Sequence, residues 1–139
     1  MQYGRINLTK TNYELCDNAS ILINPNIEAL NIIYTDYCRY KRFKSVEPLF
    51  YHEIVMNDVI GYFDNSELVA FSIISHLDEI SVRGIQFAWN YKNPSLKLGW
   101  VANFHECAWY KQLGYTYYYL GSHQPYKEKI SGYEILGPI

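Results

Sequence analysis

The sequence holds little of what cross-links, anchors or stiffens a chain. Its three cysteines, Cys16, Cys38 and Cys107, are an odd number without CxxC spacing or a paired histidine. That excludes a disulfide framework and a structural zinc site and fits a reducing cytoplasm. No metal is expected, since no His pair falls at i, i+4 on a helix. No apolar run approaches ~18 residues and no basic-then-apolar leader opens the chain, so neither a membrane span nor secretion is expected. Proline (5) and glycine (8) are scarce, which excludes fibrous and disordered classes. A net charge of only −2 excludes a broad phosphate-neutralising face. DNA is therefore not an expected partner, and any RNA contact has to be local.

What is present is a chain of 139 residues, 49% apolar, the size of one domain with one core over 1–139. Aromatic content is the outlier at 17%, with 15 Tyr, and the plainest reading is a Tyr-rich sheet whose hydroxyls stay wet. The cations cluster as Arg39, Lys41, Arg42 and Lys44 along one helix and as Lys127 and Lys129 near the end. A basic run at a helix end also serves simply to complement the helix dipole. Oligomeric state is not readable.

A first strand is expected around Ser20–Ile23, broken by Asn24-Pro25-Asn26, which offers a helix cap. Ile27, Leu30, Tyr34 and Tyr37 recur at helical spacing as a buried stripe, and Pro48 can begin a second helix with Leu49, Phe50 and Ile54 inward. From Val59 the period changes to two. Val59–Phe63, Leu68–Ser75 and Ile80–Trp89 read as an antiparallel meander with turns at Asp64-Asn65-Ser66 and Asp78-Glu79. A helix over Lys97–Gln112 with Val101, Phe104 and Ala108 on one face, stopped by Gly114, leads to an aromatic strand Tyr115–Leu120. That is a helical crossover to a parallel strand. The fold class is α/β: a mixed sheet, antiparallel meander and then crossover, flanked by helices. The order resembles that of GNAT acyltransferase domains, a likeness of fold that does not establish chemistry.

The stretch Val59–Pro138 also resembles arginyl-tRNA protein transferases in its residues. The blocks are Ser66-Glu67-Leu68-Val69-Ala70, Ser81-Val82 with a later Asn93-Pro94, and Gly99 followed seven residues on by Glu106. After them come Leu113-Gly114, then Tyr117-Tyr118-Tyr119-Leu120-Gly121, Lys127-Glu128-Lys129 and Ile135-Leu136-Gly137-Pro138. The Tyr-Tyr-Tyr-Leu-Gly block is the most specific. Departures are Lys97-Leu98 where that family has Ser-Leu, Ser122 where it has Tyr, a shorter Gly121–Lys127 segment, and no counterpart of its cysteine-bearing N-terminal domain. The resemblance implies aminoacyl-tRNA as acyl donor, an amine or peptide acceptor, and a charged tRNA as partner. Acetyl-CoA is the alternative donor. Against it, Asn93–Gly99 carries one Gly where acetyl-CoA enzymes of the fold place a glycine-rich loop for the pyrophosphate.

Acyl transfer to an amine needs a base, a polarised carbonyl and a protonated leaving group. Glu106, His105 and His123 are the candidates for proton transfer; the plain alternatives are a solvent face for the first two and a loop histidine for the third. Trp89, Asn90 and Gly99 on one side and Gly121, Ser122 and His123 on the other are expected to line the donor site, with a backbone N–H near Asn90 as oxyanion donor. Tyr117 and Tyr119 share a strand face on which an adenine can stack, and Lys127 and Lys129 are candidates for substrate contact. Three functions follow: an acyl or aminoacyl transferase, an acetyl-CoA-dependent N-acetyltransferase, or an inactive binding module on the same fold.

Overall fold

Asn26 starts the first helix. Its side-chain oxygen accepts from the N–H groups of Glu28 (2.9 Å) and Ala29 (3.3 Å), so two donors of the first turn are satisfied and α1 runs Ile27–Lys41. The structure, a computed structural model, describes residues 1–44, 49, 51–90 and 92–137. The seven strands are β1 (Tyr3–Asn7), β2 (Ala19–Ile21), β3 (Asp58–Asp64), β4 (Glu67–His76), β5 (Ser81–Trp89), β6 (Tyr117–Ser122) and β7 (Tyr133–Leu136), with α2 at Tyr51–Met56 and α3 at Leu98–Gln112. They form one mixed sheet in the order β2-β3-β4-β5-β6-β1-β7. The β5–β6 pair is parallel, with Ser81, Val82 and Arg83 opposite Tyr117, Tyr118 and Tyr119, as the crossover predicts.

The chain divides into two compact units. One comprises 1–15, 75–84 and 103–139, the other 16–74 and 85–102.

In the second unit, β2 and β4 both pair antiparallel with β3. Asn65 (φ 49°) and Ser66 (φ 68°) make the left-handed turn between β3 and β4, matching the twist that a two-residue hairpin requires. The core joins Leu30 and Ile33 of α1, Leu49, Ile54 of α2, Val59, Phe71, Ile73 and Ala88, with Ile27, Tyr34 and Tyr37 packed against it. The α1 stripe thus lies where its spacing predicts. The second helix starts at Tyr51; Pro48 and Phe50 lie outside the described residues.

In the first unit, β1 lies between β6 and β7, antiparallel to both. Neither β1 nor β7 follows from the hydrophobic pattern. β1 reads Tyr-Gly-Arg-Ile-Asn, and only Ile6 and the backbone at Gly4 are fully inward. A Cβ on Gly4 would fall 2.0 Å from the Tyr133 hydroxyl oxygen, so any other residue there would push the Tyr133 ring from its place. Gly114 (φ 98°) ends α3 as expected, its N–H on the Lys111 carbonyl and that of Tyr115 on the Tyr110 carbonyl.

The inner face of α3 differs from the sequence expectation. Val101, Phe104 and Ala108 are half-buried, whereas Leu98, Ala102, His105, Glu106, Cys107 and Tyr110 are buried. Hydrophobic spacing assigns a carboxylate outward; here a hydrogen-bond donor on β6 makes its burial tolerable.

Candidate functional site

The first unit holds the proton-transfer candidates Glu106, His105 and His123. Glu106 on α3 is only 2% exposed, and the hydroxyl of Tyr118, on the inward face of β6, donates to its Oε1. Burial, together with the negative charge and hydrogen bond of Glu106, holds the Tyr118 phenol well above its ordinary range, so it stays protonated and remains the donor. Burial and the same carboxylate also push the Cys107 thiol far up, which keeps it an inert core thiol. Gly84 on β5 makes room for the pair: a Cβ there would lie 3.2 Å from the Tyr118 hydroxyl. His105, 7% exposed, is pushed below its ordinary value by burial and is neutral at physiological pH. The three catalytic candidates are therefore not equivalent. Glu106 and His105 are interior groups, and only His123 is half-exposed.

His123 follows the end of β6, where Gly121 adopts φ 77° and the His123 N–H bonds the Gln2 carbonyl at 3.0 Å. Its Nδ1 lies 2.9 Å from the Tyr133 hydroxyl, and the two rings lie 5.7 Å apart. Burial and the neighbouring Glu128 and Tyr126 raise the Tyr133 phenol, so this partner too is protonated. When Nδ1–H donates to the Tyr133 oxygen, Nε2 carries the lone pair; when Tyr133 donates, Nε2 carries the proton. The hydrogen bond thus couples the ring to either half of a proton transfer. Nothing in the sequence pairs His123 with Tyr133; only the placement of β7 beside β1 does.

Lys127 is tied down beside it. Its Nζ donates to the carbonyls of Leu120 (3.0 Å) and Ser122 (2.7 Å), closing the end of β6, and partial burial lowers its pKa. Ser122 and Gly121 are exposed, as is Lys129. Tyr117 and Tyr119 do share the face opposite Tyr118. One face of the Tyr117 ring is taken by the Arg5 guanidinium at 3.8 Å, and Arg5 also donates to the Tyr119 hydroxyl (3.0 Å) and to Glu134 (2.7 Å). A base stacking on that face of Tyr117 would have to displace Arg5.

In the second unit, Trp89 ends β5 with its ring edge-on to Tyr40 at 5.6 Å. Asn90 is buried, and its own N–H bonds the Val69 carbonyl at 3.0 Å, so that amide is engaged in the sheet. Gly99 lies exposed in the first turn of α3, with nothing within 4 Å of where a Cβ would stand. Before it, Pro94–Leu96 forms a 3-10 turn whose amides close on themselves: Leu96 N–H on Asn93 and Lys97 N–H on Pro94, each at 3.2 Å.

Among the described residues no group of three His, Cys, Asp or Glu is placed to hold a metal ion, and no helix is long and apolar enough to cross a membrane. Every buried side-chain nitrogen or oxygen among them has a hydrogen-bond partner.

A family described as "Arginine-tRNA-protein transferase, C terminus" matches residues 28–136. None of the curated proteins matches the chain. Among solved structures, L-PGS from Bacillus licheniformis is similar over 87% of this chain and 46% of its own, at TM-score 0.66 and 14% identity. A GCN5-related glucosamine N-acetyltransferase region of a fungal multi-domain β-N-acetylglucosaminidase covers 98% of this chain with 20% of its own, at TM-score 0.66 and 13% identity. A GCN5-related N-acetyltransferase from Kribbella flavida covers 96% with 52% of its own, at TM-score 0.55 and 14% identity. At these identities the likeness is one of fold, a GNAT-type mixed sheet, and the chain spans about half the length or less of the structures it matches.

Proposed function

The chain belongs to the family of the arginine-tRNA-protein transferase C terminus, and from that premise we propose that it transfers an aminoacyl group from a charged tRNA to an amine, a peptide N-terminus or a small molecule. The observation that carries the reading is His123, half-exposed just past the end of β6 and held at Nδ1 by Tyr133. In the reaction the amine nitrogen attacks the ester carbonyl, a C–N bond forms and the C–O bond to the terminal ribose breaks. Nε2 of His123 takes the proton from the amine and returns it to the leaving ribose oxygen, while Tyr133 steadies the imidazolium formed in between. Glu106 and His105 act as positioning residues from the interior, with Glu106 fixing α3 against β6 through Tyr118. Gly121 and Ser122 offer exposed backbone beside His123 for the substrate, and Lys127 holds the strand end in shape.

The single glycine of Asn93–Gly99, with the Leu96 and Lys97 amides engaged within the turn, supports aminoacyl-tRNA over acetyl-CoA as donor. The test is a donor panel with the full chain: tRNAs charged with labelled amino acids, and labelled acetyl-CoA, each offered to peptides with free N-termini and to small amines. Label passing from a charged tRNA supports the proposal. Label passing only from acetyl-CoA replaces it with N-acetyl transfer, and transfer from no donor replaces it with a binding module.

A further inference from the structure

We propose that the exposed segment Arg39–Lys44 at the end of α1, with Trp89 beside it, is a docking surface for the single-stranded 3′ end of an RNA. The proposal rests on the reading of a charged tRNA as donor and names the surface that receives it. Four of the chain's 12 Lys and Arg residues fall within these six positions, although the whole chain carries a charge of −2. All six residues are exposed. None of the four cations is ion-paired with a carboxylate among the described residues. A helix C-terminus explains one or two cations in its last turn. It does not explain Arg42 and Lys44, which stand at and beyond the left-handed cap (φ 58° at Arg42).

The rings supply the independent observation. Tyr40 is 53% exposed and Phe43 51%, each set between cations, so the segment alternates charge and flat apolar surface. Each ring has an aromatic neighbour that holds it: Tyr40 is edge-on to Trp89 at 5.6 Å, and Phe43 is edge-on to Tyr37 at 6.1 Å. Rings held in this way lose little freedom when a base stacks on them, and alternating cations match the phosphates between successive bases. An anionic membrane calls instead for apolar side chains gathered on one helix face. On α1 Leu30 and Ile33 are buried in the core, which leaves Ile32 as the one strongly exposed aliphatic side chain of the helix rather than an apolar face.

The test is fluorescence anisotropy with uncharged tRNA across a salt series, with a tRNA trimmed of its single-stranded 3′ end and with anionic phospholipid vesicles as further probes. Intact tRNA is expected to bind, and trimming is expected to weaken it about 10-fold or more. The double variant Lys41→Glu/Lys44→Glu should weaken binding at least ~10-fold and flatten the dependence of log Kd on log salt, by roughly 0.7 for each phosphate that is no longer neutralised. Tyr40→Ala/Phe43→Ala should weaken binding about 5-fold or more with the salt slope unchanged. Circular dichroism checks that each variant is folded. Equal binding by wild type and variants overturns the proposal, as does absence of tRNA binding, with or without vesicle binding. Because uncharged tRNA is the probe, the outcome does not depend on catalysis. If transfer from charged tRNA occurs with an unchanged KM in the Lys41→Glu/Lys44→Glu variant, the surface is wrong while the function stands.

Discussion

The hydroxyl of Tyr118 donates to the carboxylate of Glu106 inside the first unit, with Tyr118 3% and Glu106 2% exposed, so one hydrogen bond ties β6 to α3 where water does not reach. Removing the donor leaves a buried carboxylate one partner short. Tyr118→Phe should therefore destabilise the chain by about 1–3 kcal/mol, read as a lower midpoint in urea. Glu106→Gln should also lose stability and lose activity in proportion to the folded fraction lost. A variant as stable as wild type but inactive would instead place Glu106 on the substrate.

Gly84 and Gly99 should respond to alanine in opposite directions. At Gly84 the new methyl would meet the Tyr118 hydroxyl at 3.2 Å and ring carbon Cε1 at 3.3 Å, and it can be accommodated only by shifting the buried pair. A loss on the order of 1 kcal/mol is expected. Gly99 is helical with open space around it, so Gly99→Ala should gain roughly 0.5–1 kcal/mol. Thermal melts of both variants check this. A transfer assay on Gly99→Ala then shows whether bare backbone at that position is needed for the donor.

His105 sets an acid-side dependence. Burial lowers its pKa below the ordinary 6.5, so once pH falls below that value the unfolded chain takes up a proton that the folded chain refuses. The contribution is complete above about pH 6.5 and is lost as pH falls from there toward the lowered folded value. Unfolding free energies at pH 5 and pH 7.5 should differ less in His105→Gln than in wild type. An identical pH dependence in the two would contradict the interior placement of His105.

Tyr133 offers a finer test of the β6 end. Tyr133→Phe removes the hydroxyl on His123 Nδ1 and keeps the ring over Gly4, so it should lower kcat by roughly 10-fold with little change in melting temperature. Gly4→Ala, whose methyl would overlap that ring, should lose stability and activity together. An unchanged kcat in Tyr133→Phe would remove the coupling from the mechanism.

The strands from β3 to β6, the crossover helix and the α1 stripe were legible because each has a strong period, a cap or a turn at its ends, such as Asn26, Asn65-Ser66 and Gly114. β1 and β7 were not. Each is short and makes sense only through the other, Gly4 leaving the space that Tyr133 fills. The buried face of α3 is hidden from the sequence for a related reason: polarity assigns Glu106 and His105 to solvent, and the burial of Glu106 depends on a donor twelve residues away on another element. The place of His123 after a strand end is readable from the sequence, but its Tyr133 partner depends on the register of β7. Asn90 directly follows β5, and its amide bonds the Val69 carbonyl, a pairing that local sequence does not specify.

The most direct measurement of the central claim is the rate at which a labelled amino acid passes from its charged tRNA to a peptide N-terminus, compared between wild type and His123→Ala. Wild-type transfer, with a drop of about 10²-fold or more in the variant at an unchanged melting temperature, is the expected result. Full transfer by His123→Ala, or none by the wild type from any charged tRNA, would contradict it.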